Sequence, residues 1–188
     1  YVVTAPTTVL ENATAFTANF WVNYVSGTNV FEIYQDATHK LFCYFSVSGQ
    51  INLRLEQAGF SNYQVDTGIA AVPVGSWAMV TFAYDTAGAA SGGIIYVNGV
   101  DVTRNEYGSP HTQLWSGASQ IGCNAVASAS ATAQYDNFAV YPTKLTPAEV
   151  LSIYESVQDI GCDTFNPSGP SVLPMSLKGF LSASGSNI

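Results

Sequence analysis

In the stretch Gln134-Tyr135-Asp136-Asn137-Phe138-Ala139-Val140-Tyr141, strand alternation puts Asp136 on the same side as Phe138 and Val140. If those two apolar residues face a core, the carboxylate faces it too. A bare buried charge costs several kcal/mol, so Asp136 needs either a compensating cation or several hydrogen-bond donors at a sandwich rim. A second group with chemical potential lies on the run from Phe16 to Tyr24. There Trp21 falls on the polar side with Asn19 and Asn23, an apolar plate for a sugar ring flanked by two amides that orient its hydroxyls. Tyr44, in parity with Lys40 and Ser46, is expected to line the same face. The competing reading covers these aromatics with loops or with another copy of the chain.

Cys43, Cys123 and Cys162 allow one bridge in any of three pairings, with one thiol left over, and match no zinc spacing. Cys43 shares strand parity with Leu41 and Phe45 and reads as a small buried hydrophobe, which favours Cys123 with Cys162 as the pair. His39 and His111 each stand alone, without a second histidine at ligand spacing, and read as loop residues. Asn12-Ala13-Thr14 is an N-glycosylation triplet. The sequence holds no G-x-S-x-G, no phosphate-binding glycine loop, no H-E-x-x-H and no dinucleotide fingerprint.

The elements that must position these side chains are almost all strands before residue 142. Phe16, Ala18, Phe20, Val22 and Tyr24 alternate with Thr17, Asn19, Trp21 and Asn23, giving an oily side and a polar side. Residues 30–35, 41–47 and 51–55 read as a meander, the last with Asn52, Arg54 and Glu56 on its polar side. A strand opens at Trp77 and runs to Tyr84. Asn98-Gly99 between Ile94–Val97 and Val100–Val102 is the strongest hairpin signal, because both residues tolerate the positive φ of a type I′ turn. One helix is expected from Pro147 to about Val157. Thr146 and Glu149 form its capping box, Leu145 and Val150 its staple, and Val150, Tyr154 and Val157 its apolar stripe. From Gly161 to Ile188 a Pro-, Ser- and Gly-containing segment keeps no period and reads as a linker or docking tail. The expected organisation is therefore one domain over residues 1–160 and a tail over 161–188.

At 188 residues one domain of this kind buries enough surface to stand without staples. Thirteen acidic residues against five basic ones give a net charge of −8, which opposes binding to nucleic acid or to anionic lipid. Pro73, Gly75 and Ser76 break the one long uncharged stretch, so no membrane span is expected. Only 10% of residues are charged, so Ser, Thr, Asn, Gly and Tyr must cover much of the surface, as in secreted or assembled proteins. A chain that begins at Tyr1 reads as a processed product or as a piece of something longer.

In order along the chain, Phe16–Val22, Gly75–Asp85, Ile95–Val100, Tyr135–Tyr141 and Leu145–Val150 resemble the laminin-G-like family of concanavalin A-like lectin/glucanase jelly rolls. The resemblance implies an all-β fold, two antiparallel sheets in a jelly-roll sandwich, with one short C-terminal helix packed on it. It implies that the acid at Asp136 helps hold a structural Ca²⁺, and that Trp77 is a packed structural residue. Hydrolytic members of the superfamily set paired carboxylates at alternate positions of one strand, and no such run occurs here. Glu32 with Asp36, or Glu56 with Asp66, are the pairs that folding would have to bring together. The expected function is therefore a non-enzymatic module outside the cell or at its surface. It serves assembly or adhesion in a filament, coat or appendage, with other copies, matrix or glycan as partners. A lectin-like carbohydrate-binding module is the alternative, and a glycan hydrolase the second alternative.

Overall fold

Phe16, Ala18, Phe20, Val22 and Tyr24 are all buried along strand β2 (Ala15–Gly27), so the alternation written in the sequence is the alternation the structure uses. This computed structural model describes residues 2–7, 13–36, 39–46, 49–86, 92–110, 117–121 and 131–158. Asn12, His111, Cys123, Cys162 and the tail from Gly161 lie outside the described residues.

Two antiparallel sheets stack face to face as a jelly-roll sandwich. The seven-stranded sheet contains β1 (Val2–Thr7), β3 (Asn29–Asp36), β4 (His39–Phe45), β5 (Gln50–Gln57), β6 (Tyr63–Ala70), β10 (Asn105–Tyr107) and β11 (Gly117–Ile121). Their order across the sheet is β1-β11-β3-β4-β5-β6-β10. The five-stranded sheet adds β7 (Trp77–Asp85), β8 (Gly93–Val97), β9 (Val100–Asp101) and β12 (Ala131–Tyr141) to β2, in the order β12-β2-β7-β8-β9.

Leu41, Cys43 and Phe45 on β4, Ile51, Leu53 and Leu55 on β5, and Tyr63 and Val65 on β6 are buried against the inner face of the other sheet. Aromatic pairs stitch the layers together. Tyr24 meets Phe45 edge-on at 4.8 Å between ring centroids, and Tyr63 meets Tyr84 edge-on at 5.4 Å. Geometry of this kind adds about 0.5–1.5 kcal/mol per pair beyond the area it buries. The Asn98-Gly99 turn between β8 and β9 has φ of 51° and 78°, the two positive values a type I′ hairpin requires.

Strand β12 does not keep its parity. Its register against β2 shifts between Asp136 and Ala139, and Asn137 sits at φ 50°, a left-handed residue within a bulge. Ala133 and Tyr135 pack inward before the bulge, Phe138 and Val140 after it. The extra residue thus puts Asp136 on the outer face, where it is exposed and pairs across to Trp21. Asp136 does not face the core, and the bulge is the physical reason.

Helix α1 (Pro147–Gln158) begins as expected. The Thr146 N–H donates to Glu149 Oε2 at 2.8 Å and the Glu149 N–H donates to Thr146 Oγ1 at 3.3 Å. The Thr146 N–H and hydroxyl, both donating to Glu149 Oε2 at 2.8 Å, hold the Glu149 carboxyl below its usual range. Thr17, fully buried, donates its hydroxyl to the Thr143 carbonyl at 2.8 Å and accepts the Leu145 N–H at 2.9 Å, which fixes where the helix starts. Val150, Ile153 and Tyr154 then pack on Trp21, Met79, Ala83 and Tyr96 across the outer face of the five-stranded sheet. Among the described residues no helix is long and apolar enough to cross a membrane, which says nothing of a β-barrel.

Candidate functional face of the seven-stranded sheet

With α1 on the five-stranded sheet, the two outer faces differ in kind. On the seven-stranded sheet, pairing sets Phe42, Arg54, Gln64 and Tyr107 in one row across β4, β5, β6 and β10, and Tyr44, Asn52, Asp66 and Asn105 in the next. These side chains share the side opposite to Leu41, Cys43, Leu53 and Val65.

The face is organised by its own polar contacts. Phe42 and Tyr44 stack at 5.6 Å, with the Lys40 ammonium 5.4 Å and the Arg54 guanidinium 5.8 Å from the Phe42 ring centroid. Lys40 and Arg54 both reach Glu56, at 3.0 and 2.9 Å. The Arg54 Nε–H is not aimed at that carboxylate and has no hydrogen-bond partner, so it is an ion pair by distance with one donor to spare. Tyr44 donates to Gln64 Oε1 at 3.5 Å, and Gln64 donates to Asn52 Oδ1 at 3.4 Å. Asp66, 4% exposed, accepts the Gly68 N–H and the Asn105 amide, each at 2.8 Å. Burial pushes the Tyr44 hydroxyl up, so it stays a neutral donor throughout the physiological range. The result is two stacked rings among amides, a guanidinium and a carboxylate, the mixture that recognises a polyhydroxylated ring.

The residues expected from the sequence are not gathered in one place. Trp21, Asn19 and Asn23 do share the outer face of β2, but Tyr44 belongs to the other sheet. Trp21 is no open plate, because Tyr154 of α1 stacks on it at 5.9 Å. Asn19 is 3% exposed and donates to Thr81 Oγ1 at 2.6 Å. Trp77, expected to be packed, is 45% exposed. The apolar stripe of α1 took the helix to Trp21, so the two tryptophans exchange the roles their positions suggested. Phe42, Asn52, Arg54, Gln64, Asp66 and Tyr107 were missed as a group, although the alternation of Asn52, Arg54 and Glu56 pointed at such a face.

The described residues do not fit a calcium site at Asp136. Its exposed carboxylate accepts the neighbouring Asn137 N–H at 2.8 Å, and no group of three or more His, Cys, Asp or Glu side chains stands together among the described residues. Glu56 and Asp66 do not pair either. Asp66 is opposite Asn52, four residues along β5 from Glu56, roughly 14 Å away by strand spacing and well beyond the separation of a glycosidase acid pair. The Asp36 side chain lies outside the described residues. Cys43 is a fully buried free thiol whose pKa burial raises well above the ordinary value, hence unreactive.

Solved structures of similar shape share little sequence with this chain. A heptameric SAP-like pentraxin from Limulus polyphemus matches with a TM-score of 0.55 at 19% identity, over 77% of this chain and 71% of that one. The binding domain of botulinum neurotoxin DC in complex with SialylT matches with a TM-score of 0.58 at 13% identity, over 78% of this chain and 36% of that one. Botulinum neurotoxin type C, whose cell entry depends on interaction with two ganglioside molecules, matches with 0.57 at 14%, over 77% and 36%. The chain thus spans about a third of the toxin chains, and these likenesses speak for the fold. No relative was found among curated proteins. The family model described as the concanavalin A-like lectin/glucanases superfamily matches residues 1–151, and the chain belongs to that family.

Proposed function

We propose that the chain is a non-enzymatic carbohydrate-binding module that acts outside the cell and takes a glycan on the outer face of its seven-stranded sheet. One observation carries the reading: Phe42, Tyr44, Asn52, Arg54, Gln64, Asp66 and Tyr107 stand together on the face that α1 leaves free. The rings offer apolar plates and Gln64, Arg54 and Asn105 offer polar groups, while the buried Asn52 and Asp66 hold Gln64 and Asn105 in place, so little side-chain freedom is lost on binding. On this face Lys40 and Arg54 share Glu56, and Asp66 and Glu32 add two further acids. With no surplus of positive charge, the ligand class is a neutral glycan rather than a sialylated or sulfated one. That pentraxin-like and toxin-binding folds are similar in shape is consistent with a recognition role.

A glycan array followed by calorimetry on Tyr44→Ala and Arg54→Ala tests this. Affinity for the best neutral glycan is expected to fall tenfold or more in each variant, about 1.4 kcal/mol. Failure of the intact chain to bind any glycan, or unchanged affinity in both variants, overturns the proposal. Assembly into a filament, coat or appendage is a second reading. It rests on residues 162–188, since Cys43 is buried, and fails if the full chain and a chain ending at residue 161 are both monomeric at high concentration.

A further inference from the structure

Helix α1 is anchored firmly at its start and loosely along the rest of its length. At the start the buried Thr17 hydroxyl donates to the Thr143 carbonyl and accepts the Leu145 N–H, and the Thr146–Glu149 capping box satisfies the first turn. The last turn holds Glu155 and no basic residue, so the negative end of the helix dipole meets a like charge. Among the described side chains of α1 only Val150 is fully buried, and Leu151 is 40% exposed. Tyr154 secures the far part of the helix by stacking on Trp21.

The bed beneath the helix carries a cost of its own. Tyr96, 1% exposed, packs with Val150, Met79 and Ala83, and its hydroxyl is enclosed with no hydrogen-bond partner among the described residues. A hydroxyl shut away from water and left unpaired opposes the closure that buries it. Lifting the helix lets water reach the Tyr96 hydroxyl and relieves that cost. The sandwich core loses nothing by it. Phe20, Val22, Val80 and Phe82 are buried on the other side of the sheet, in a cluster that includes no residue of α1.

We propose that α1 is a hinged cover, which lifts from its C-terminal end about the Thr17–Leu145 anchor and bares Trp21, Met79 and Tyr96 while both sheets stay folded. Openings of this kind are drawn from elements with few buried apolar contacts, and α1 is such an element. Closed, the helix hides an uncharged bed. Open, it leaves an apolar face with the Tyr96 hydroxyl free to donate. The device belongs to the five-stranded sheet and does not rest on the carbohydrate reading, which concerns the other one.

Native-state hydrogen exchange on the ¹⁵N-labelled full chain tests this. The amides of Leu151 to Ser156 should exchange as one group, about a hundredfold faster than those of Phe20 and Val80. Tyr96→Phe removes the unpaired hydroxyl and keeps the ring, so it should slow the α1 group about tenfold, whereas loss of a bonded hydroxyl would speed it. Met79, fully buried under the helix, should be oxidised by dilute peroxide at a rate that Tyr96→Phe lowers by the same factor. Exchange of α1 at the rate of the sheets overturns the proposal, since the helix would then leave only on global unfolding. Unchanged or faster α1 exchange in Tyr96→Phe also overturns it, because the hydroxyl would not be the cost that favours opening. So does a Met79 that resists peroxide while the α1 amides exchange, which would mean that the helix frays in place without uncovering the sheet.

Discussion

Replacing each tryptophan of the five-stranded sheet by alanine should give opposite outcomes to those their sequence positions suggest. Trp21 is held between β2 and α1, with Tyr154 on its face and Met79 opposite it. Removing a large aromatic from such a place costs about 3–5 kcal/mol when the site is fully closed. Trp21 keeps some solvent contact, so the lower end, about 3 kcal/mol, is expected. Roughly 1 kcal/mol of that is the ring pair with Tyr154. Trp77 at 45% exposure keeps about half its surface in water already, and its alanine variant should lose about 1 kcal/mol. With a urea slope of about 2 kcal/mol per molar, the 2 kcal/mol difference separates the two unfolding midpoints by about 1 M. Urea titrations followed by far-ultraviolet circular dichroism measure it, and a double-mutant cycle of Trp21→Ala with Tyr154→Ala should return a coupling of about 1 kcal/mol. A Trp77 variant less stable than the Trp21 variant, or no coupling in the cycle, would refute the placement of α1.

Other outcomes follow from single contacts. Tyr63 donates to Glu106 Oε1 at 2.7 Å, and burial first, then that carboxylate, raises its pKa far above the ordinary 10.0. The neutral form is the folded one, so the stability this group contributes is whole below pH 10 and is lost as pH rises above it; Tyr63→Phe should lose about 2 kcal/mol at neutral pH and show a shallower alkaline decline in melting temperature. Glu149 is shifted the other way, so its contribution is present above its ordinary 4.5 and lost as pH falls below it, and Glu149→Gln should flatten the acid limb of the helical signal. Gly99→Ala forces a side chain onto φ 78° with its Cβ 2.9 Å from Leu151 Cδ1, and should cost 1 kcal/mol or more, about the penalty for a non-glycine residue in that region, with the loss seen in the packing of α1. Because Asp136 is solvated, Asp136→Asn and EDTA should each leave the melting temperature within about a degree of the untreated chain; a rise of several degrees on adding Ca²⁺ that Asp136→Asn abolishes would restore a metal there.

The sandwich was legible because burial repeats with period two. Phe16 to Tyr24, Leu41 to Phe45 and Ile51 to Leu55 each state their inner face, and the Asn98-Gly99 turn and the Thr146–Glu149 capping box state where elements end. Asp136 was misread for the same reason that the rest succeeded. Alternation counts residues, and a bulge adds one residue that no hydrophobic pattern announces. Asn137 was the only cue, an asparagine being among the few residues that accept φ near 50°, but a single asparagine in a strand is ordinary. Tyr44 and Trp21 could not be assigned to different sheets from their own parity, since parity fixes a side within a strand and says nothing about which sheet the strand joins.

What decides which surfaces are free is one amphipathic helix. Val150, Ile153 and Tyr154 need an apolar bed, and the outer face of the five-stranded sheet supplies Met79, Ala83, Tyr96 and Trp21. The outer face of the seven-stranded sheet cannot, because its rows carry Lys40, Arg54, Glu56 and Asp66, whose burial under an apolar stripe would strand their charges. The same chemistry that repels the helix leaves Phe42, Tyr44 and Gln64 partly exposed on that face. On the five-stranded sheet Trp21 lies under the helix beside Met79, and Trp77 lies exposed beside Asn23 and Gln134. Converting Asn23 to leucine should therefore extend the apolar bed and reduce Trp77's access to acrylamide as the last turn of α1 settles onto it. An unchanged quenching rate for Trp77 would mean that helix length, and not the polarity of the row beneath, sets the limit of cover.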